Sequence, residues 1–285
     1  MTGPAHSFDV HGAMLPDSPV VLSVPHAGRD YPSALLAAIR VPVEALRILE
    51  DRHVDQLALA ARGAETLLVQ RPARAWIDLN RAEHERDPKL DDGADPTRSP
   101  AMSAKLRSGL GLVPRRIAAA GDIWAKRLSG DAVNARIMAD HRPYHMALAT
   151  LLVAARARFG VAVLLDIHSM PPLGAPGEAA QIVLGDRFGK SAASRFIARL
   201  EGEAEATGIP HALNTPYAGG HILDRHARPH SGIHAIQIEF DRTLYLDAAH
   251  DAPGPGFAGA AAMLRRMIAA IGDEALAGLP AIAAE

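Results

Sequence analysis

Hydrophobic residues along this chain come as short unbroken runs separated by polar turns. Val161 to Met170 reads VAVLLDIHSM, five apolar residues followed by chemistry. A Val- and Leu-rich run of that kind predicts a strand buried on both faces of a sheet. Val20 to Val24 (VVLSV), Ala64 to Val69 (AETLLV), Gln181 to Leu184 and Ile233 to Phe240 (IHAIQIEF) predict further strands. Ala75 to Arg81 alternates, with Trp76, Asp78 and Asn80 on one side, and predicts another. Helical spacing marks Ser33 to Ile39, Val43 to Gly63, Pro114 to Leu128, Asp131 to Phe159 with an interruption at Pro143, Ser191 to Thr207 and Phe257 to Ile271. Residues 1–18 read as a loosely held lead-in, and 82–112 as a long polar surface loop region. No repeat or linker interrupts the chain, so residues 1–285 are expected to form a single domain. Strands alternating with helices predict an α/β fold.

Composition narrows the chemistry. Apolar residues make up 48% and charged residues 22%, an ordinary globular balance. The net charge of −2 comes without a basic block, which argues against nucleic acid as a partner. There is no cysteine, so a metal here would be held by histidine and carboxylate. The N-terminal stretch lacks the pattern of a signal peptide, and no apolar run has transmembrane length, so a cytoplasmic location and no membrane partner are expected. The sequence leaves the oligomeric state open.

The strand ends carry the candidate site. In α/β sheets, ligands collect beyond the carboxyl ends of the strands. Here those ends hold His26 in PHAG, Asn80-Arg81, Asp166 and His168, and Glu239. Two imidazoles and a carboxylate suit Zn²⁺ with one open position, and Zn²⁺ brings the pKa of a bound water toward ~7. A carboxylate that is not a ligand can move a proton. The guanidinium fork of Arg81, with Asn80 beside it, suits a substrate carboxylate. Asp51 and His53 lie in a charged stretch where the helix from Val43 begins or breaks, and either could face the site. Tyr217, Gly219 and Gly220 sit in a glycine-rich loop that lets backbone N–H groups approach a substrate. No GxSxG elbow is present, and Gly189-Lys190-Ser191 lacks the glycine spacing of a phosphate loop.

In order, PHAG, DRH, IDLNR, DIHSM, PYAGGHI and QIEFDR resemble the N-formylglutamate amidohydrolase family, itself similar at a distance to zinc carboxypeptidases and aspartoacylases. The resemblance runs from about Ser23 to Asp247. It implies a three-layer α/β/α domain with a mixed central sheet, zinc-carboxypeptidase-like within the phosphorylase/hydrolase-like folds. It also implies one Zn²⁺ per chain held by His26 and His168, a carboxylate anchor at Asn80 and Arg81, and a general base at Glu239. Carboxypeptidases place a Glu three residues after the first His, where this chain has Arg29. The resemblance therefore favours Asp51 as the third ligand, with Asp30 or His53 as alternatives. RIMADHRPYH, with Arg136, resembles a substitute for substrate-contacting elements. The implied substrate is a small acidic N-acyl amino acid, with N-formyl-L-glutamate the best match. A carboxypeptidase- or aspartoacylase-like deacylase and a non-catalytic carboxylate-binding relative are the alternatives.

Overall fold

Every residue of Val20–Val24 (β2) and Ala162–Met170 (β6) is buried, as is all but the first of Ile233–Asp241 (β9). Runs apolar on both sides form central strands, because both faces of such a strand are covered. In the computed structural model, which describes residues 6–95, 104–175 and 178–277, the sheet has seven strands. The others are Phe8–His11 (β1), Thr66–Gln70 (β3), Ile182–Gly185 (β7) and His211–Leu213 (β8). The order is β1-β3-β2-β6-β9-β7-β8. β2, β6 and β9 run parallel, with Ser23 opposite Asp166 and His168 opposite Glu239. β7 pairs antiparallel with β9, so the sheet is mixed. With its flanking helices, this is the expected α/β class.

The helices are Ser33–Leu36 (α1), Val54–Ala61 (α2), Ala104–Arg107 (α3), Gly130–Arg136 (α4), Arg142–Phe159 (α5), Ser194–Glu205 (α6), His221–His226 (α7) and Phe257–Ala277 (α8). None is long and apolar enough, among the described residues, to cross a membrane. The chain divides into two compact units, each built from three segments. Residues 10–24, 53–67 and 148–285 form one of them. There α8 packs on α2 and α6 and reaches β2 and β6. Its buried Ala260, Met263, Leu264, Met267, Ile268 and Ile271 recur at helical spacing, which is why this helix was legible.

Residues 1–9, 25–52 and 68–147 form the other unit, and most departures from expectation fall there. Residues 8–11 of the lead-in are a strand, short enough to escape a periodicity test. The helix expected from Ser33 stops at Leu36. The one expected over Val43 to Gly63 is a 3-10 segment, Val43–Leu49, then a break, then α2. His53 makes the break with a left-handed backbone at φ 58°. Ala75 to Arg81 is a turn, not a strand. The Asp78 carboxylate accepts from the Asn80 N–H at 2.8 Å, and the Arg81 N–H bonds Asp78 O at 3.2 Å. A short side chain that captures backbone donors in this way competes with a ladder.

The expected surface loop from residue 82 is held in place as far as residue 95: Asp87, Leu90 and Asp91 are buried. Residues 96–103 of that region lie outside the described residues. Instead of a helix, Pro114 to Leu128 contains a hairpin, Arg116–Ile117 (β4) with Gly121–Asp122 (β5). Gly121 turns it at φ +80°, and Arg115 braces it between Asp87 and Asp122 at 2.8 and 2.7 Å. The helix over Asp131 to Phe159 continues through Pro143 because a π-helical turn, Ile137–His141, joins α4 to α5. The ring of a proline crowds the preceding turn, and a widened turn accommodates it.

Candidate active site

Pro25 ends β2 and sends His26 out of the sheet's carboxyl edge. His26 is 2% exposed. Its Nε2 meets Asp78 Oδ1 at 2.7 Å, so Nε2 carries the proton and Nδ1 faces Asp51 Oδ2 at 3.6 Å. That separation is too long for a hydrogen bond. It is close to the roughly 3.3 Å that separates two donors sharing one tetrahedral Zn²⁺. The backbone reinforces the pair, since the Asp51 N–H donates to His26 O at 2.9 Å. The break after Leu49 delivers Asp51, and Glu50 beside it is held by Tyr31 Oη and by Arg52 at 2.8 Å. Burial and the Glu50 carboxylate push the Tyr31 hydroxyl well above its ordinary pKa, so it stays a donor.

Asp78 is fully buried and also accepts from Arg74 Nε at 2.8 Å. Burial alone would raise its carboxyl. The charges of Arg74 and Arg81, with the hydrogen bond from His26, outweigh that and hold it well below the usual range. His168, near the end of β6, repeats the pattern: its Nε2 meets Asp166 Oδ2 at 2.9 Å, and Ser23 Oγ donates to Asp166 Oδ1 at 2.8 Å. A carboxylate on the far nitrogen fixes the tautomer and orients the ring, as around metal-ligating histidines. His26 Nδ1 and Asp51 Oδ2 face each other, and His168 is a second imidazole oriented in the same way; two imidazoles and a carboxylate are donors that fit a cation. Asp30 is exposed with its backbone paired to Pro72, and His53 Nε2 donates to Asp251 O at 2.8 Å.

A family model described as N-formylglutamate amidohydrolase matches residues 18–246. The chain belongs to the N-formylglutamate amidohydrolase family. N-formylglutamate deformylase of Pseudomonas putida is 34% identical over 237 residues, 80% of this chain and 82% of the relative. The Pseudomonas aeruginosa enzyme of that name is 30% identical over 239 residues, with the same coverage. The crystal structure of N-formylglutamate amidohydrolase from Ralstonia eutropha JMP134 superposes with a TM-score of 0.86 at 32% identity, over 96% of this chain and 100% of the other.

Within this family member, Glu239 stands opposite His168 across the β6–β9 ladder, 6% exposed, and accepts from Gln237 Nε2 at 2.8 Å. Arg242, three residues further on, donates through Nε to Ser169 Oγ at 3.2 Å. Arg81 is buried; Nε donates to Leu110 O at 2.9 Å and one terminal nitrogen to Asn80 O at 2.6 Å, which fixes the guanidinium plane. Asn80 is 5% exposed. Arg136 is buried with its guanidinium 3.7 Å from the centre of the Trp76 ring and 5.0 Å from that of Trp124. Burial lowers its pKa to about 10 despite Asp140 and Asp91. Tyr217, Gly219 and Gly220 are half-buried in the loop before α7, where Arg187 N–H donates to Ala218 O at 2.7 Å.

Sequence reasoning did not single out Asp78, Arg74, His141 or the role of His145. His141 and His145 are fully buried and reach the carbonyls of Arg81 and Leu79 at 2.8 and 3.0 Å. Their i, i+4 spacing was the available signal. Asp78 left none beyond its place beside Asn80-Arg81.

Proposed function

We propose that this chain is a metal-dependent hydrolase that cleaves the amide of a small acidic N-acyl amino acid, taking N-formyl-L-glutamate and water to formate and L-glutamate. The observation that carries the reading is two buried imidazoles, His26 and His168, each oriented by a carboxylate, with Asp51 facing His26, in a chain of this family. His26 and His168 through Nδ1, with Asp51, would hold Zn²⁺. Zn²⁺ at such a site polarises a carbonyl and acidifies water.

Glu239 takes the proton of the attacking water and delivers it to the nitrogen of the departing glutamate, so that proton is conserved within the turnover. Its place beside His168 in the ladder supports that role. Arg81 and Asn80 hold a substrate carboxylate; the fixed plane of Arg81 supports bidentate recognition. Arg136, Tyr217, Gly219 and Gly220 complete the substrate-binding set. Fourteen histidines and no cysteine are consistent with a nitrogen- and oxygen-ligated metal.

The test is formate release from N-formyl-L-glutamate, N-formyl-L-glutamine and N-formyl-L-alanine, with acetate release from N-acetyl-L-glutamate alongside. Protein is stripped of metal and then reloaded with Zn²⁺. Metal-dependent formate release favouring the acidic formyl substrate is expected. A fully loaded protein that releases no formate overturns the reading. Acetate release that outpaces formate release transfers the chain to the deacylase alternative.

A further inference from the structure

The turn from Trp76 to Arg81 has no ladder partners, yet it carries Asp78, Asn80 and Arg81. Buried carbonyls without a ladder need donors from elsewhere. Here one helix supplies them. Arg136 donates to Trp76 O at 3.0 Å, His145 Nε2 to Leu79 O at 3.0 Å, and His141 Nε2 to Arg81 O at 2.8 Å. In the opposite sense, the Trp76 indole N–H donates to Asp140 Oδ2 at 2.7 Å. The Arg136 guanidinium also lies over the Trp76 ring. A carbonyl only accepts, so both histidines carry their proton on Nε2.

A regular helix could not make this grip. Positions 136 and 145 are nine residues apart, about two and a half turns of α-helix, and would face opposite ways. The π-helical turn Ile137–His141 lies between them, closed by the Arg142 N–H on Ile137 O. It takes up one extra residue. The remaining eight steps are about 2.2 turns, which brings 136, 140, 141 and 145 toward one side.

We infer that Asp140, His141 and His145, aligned with Arg136 by the π turn, are positioning residues that hold the Trp76–Arg81 turn in its binding geometry. What the turn does rests on the function proposed above: Asp78 orients His26, and Asn80 and Arg81 anchor the substrate. Being fully buried, His141 and His145 act through the turn's backbone rather than by touching substrate.

The test is hydrogen exchange in the full-length protein, read at the Asp78, Asn80 and Arg81 amides, which bond Leu112 O, Asp78 Oδ1 and Asp78 O. His141→Leu and His145→Leu remove the donor. His141→Gln and His145→Gln keep an N–H at the reach of Nε2. The Leu variants are expected to exchange at these amides about tenfold faster, the scale of one lost buried hydrogen bond. The β6 and β9 amides should be unchanged, and the Gln variants should return toward the parent. KM for N-formyl-L-glutamate should rise in the same order. Parent-like protection in the Leu variants overturns the inference, as does acceleration spread equally over the protein or Gln variants indistinguishable from Leu. If a Leu variant does not fold, Asp140→Ala and its conservative partner Asp140→Asn provide the same comparison at the Trp76 indole. A parent without formyl hydrolase activity would remove the function proposed above and leave the exchange result standing.

Discussion

Glu239 is a buried carboxylate on a strand whose neighbouring positions are apolar, with Ile236, Ile238 and Phe240 fully buried. Burying an ionised group is costly unless it is bonded or has chemistry to perform. Gln237 supplies one bond, at 2.8 Å. A purely structural carboxylate could be replaced by its amide with little consequence, because Gln accepts at the same oxygen. A proton acceptor could not. Glu239→Gln is therefore expected to retain bound metal and a parent-like KM while kcat falls by roughly 10²–10⁴, the range for loss of a positioned base. Steady-state kinetics with metal analysis on the same sample decide it: near-parent kcat at full metal occupancy returns Glu239 to a structural role.

At the scale of elements, the segment after β2 shows how backbone proximity sets the site. Gly28 follows His26 by two residues, and a Cβ there would lie 2.3 Å from Pro72 O and 2.5 Å from Arg71 O. The two segments are sewn together by Asp30 N–H to Arg71 O at 3.0 Å and Ala73 N–H to Asp30 O at 2.9 Å. The glycine is there for close approach. Gly28→Ala must push the segments apart, at a cost of roughly 1–3 kcal/mol, the usual range for overpacking. A lower denaturation midpoint with weaker metal binding is expected, since His26 moves with the segment; unchanged values for both would show that the segments yield freely. The same contrast explains what the sequence made legible. β2, β6, β7, β9, α6 and α8 are long or apolar enough that local pattern decides them. Asp78 and its turn, the break at His53, the hairpin at Gly121 and the π turn depend on partners distant in sequence or on single backbone angles. Alternation in IDLN suggested a strand because nothing in it announces that Asp78 will bond His26 and Arg74. Of the residues in the proposed site, His26, His168 and Glu239 were named from strand ends and Asp51 from motif order. Placing Asp51 rather than Asp30 beside His26 from the residues alone would have required knowing that the helix breaks before it.

For the whole molecule, stability against acid is shared between groups that lose charge and groups that resist gaining it. Glu65, Asp78 and Asp247 have lowered pKa values, so what they contribute is present above their unfolded values of 4.5, 3.8 and 3.8 and is lost below them. His234 acts at higher pH. It is 6% exposed, its ring centre lies 4.8 Å from that of Phe196, and its Nδ1 accepts from the Ala193 N–H at 3.3 Å. Burial, with the nearby Arg195 charge, lowers its pKa from 6.5 to about 4. Between those two values the unfolded chain binds a proton that the folded protein refuses, so stability rises with pH there. On acidification this contribution falls from pH 6.5 to about 4 and levels off below, once both states are protonated. His234→Asn puts an amide oxygen near Nδ1 and removes the titration. Chemical denaturation of parent and variant at matched metal content, from pH 7 down to pH 4.5, isolates the effect above the carboxylate range. The parent is expected to lose stability more steeply than the variant as the pH falls below 6.5, with the two slopes equal above it. Parallel curves across that window would assign the acid sensitivity to other groups.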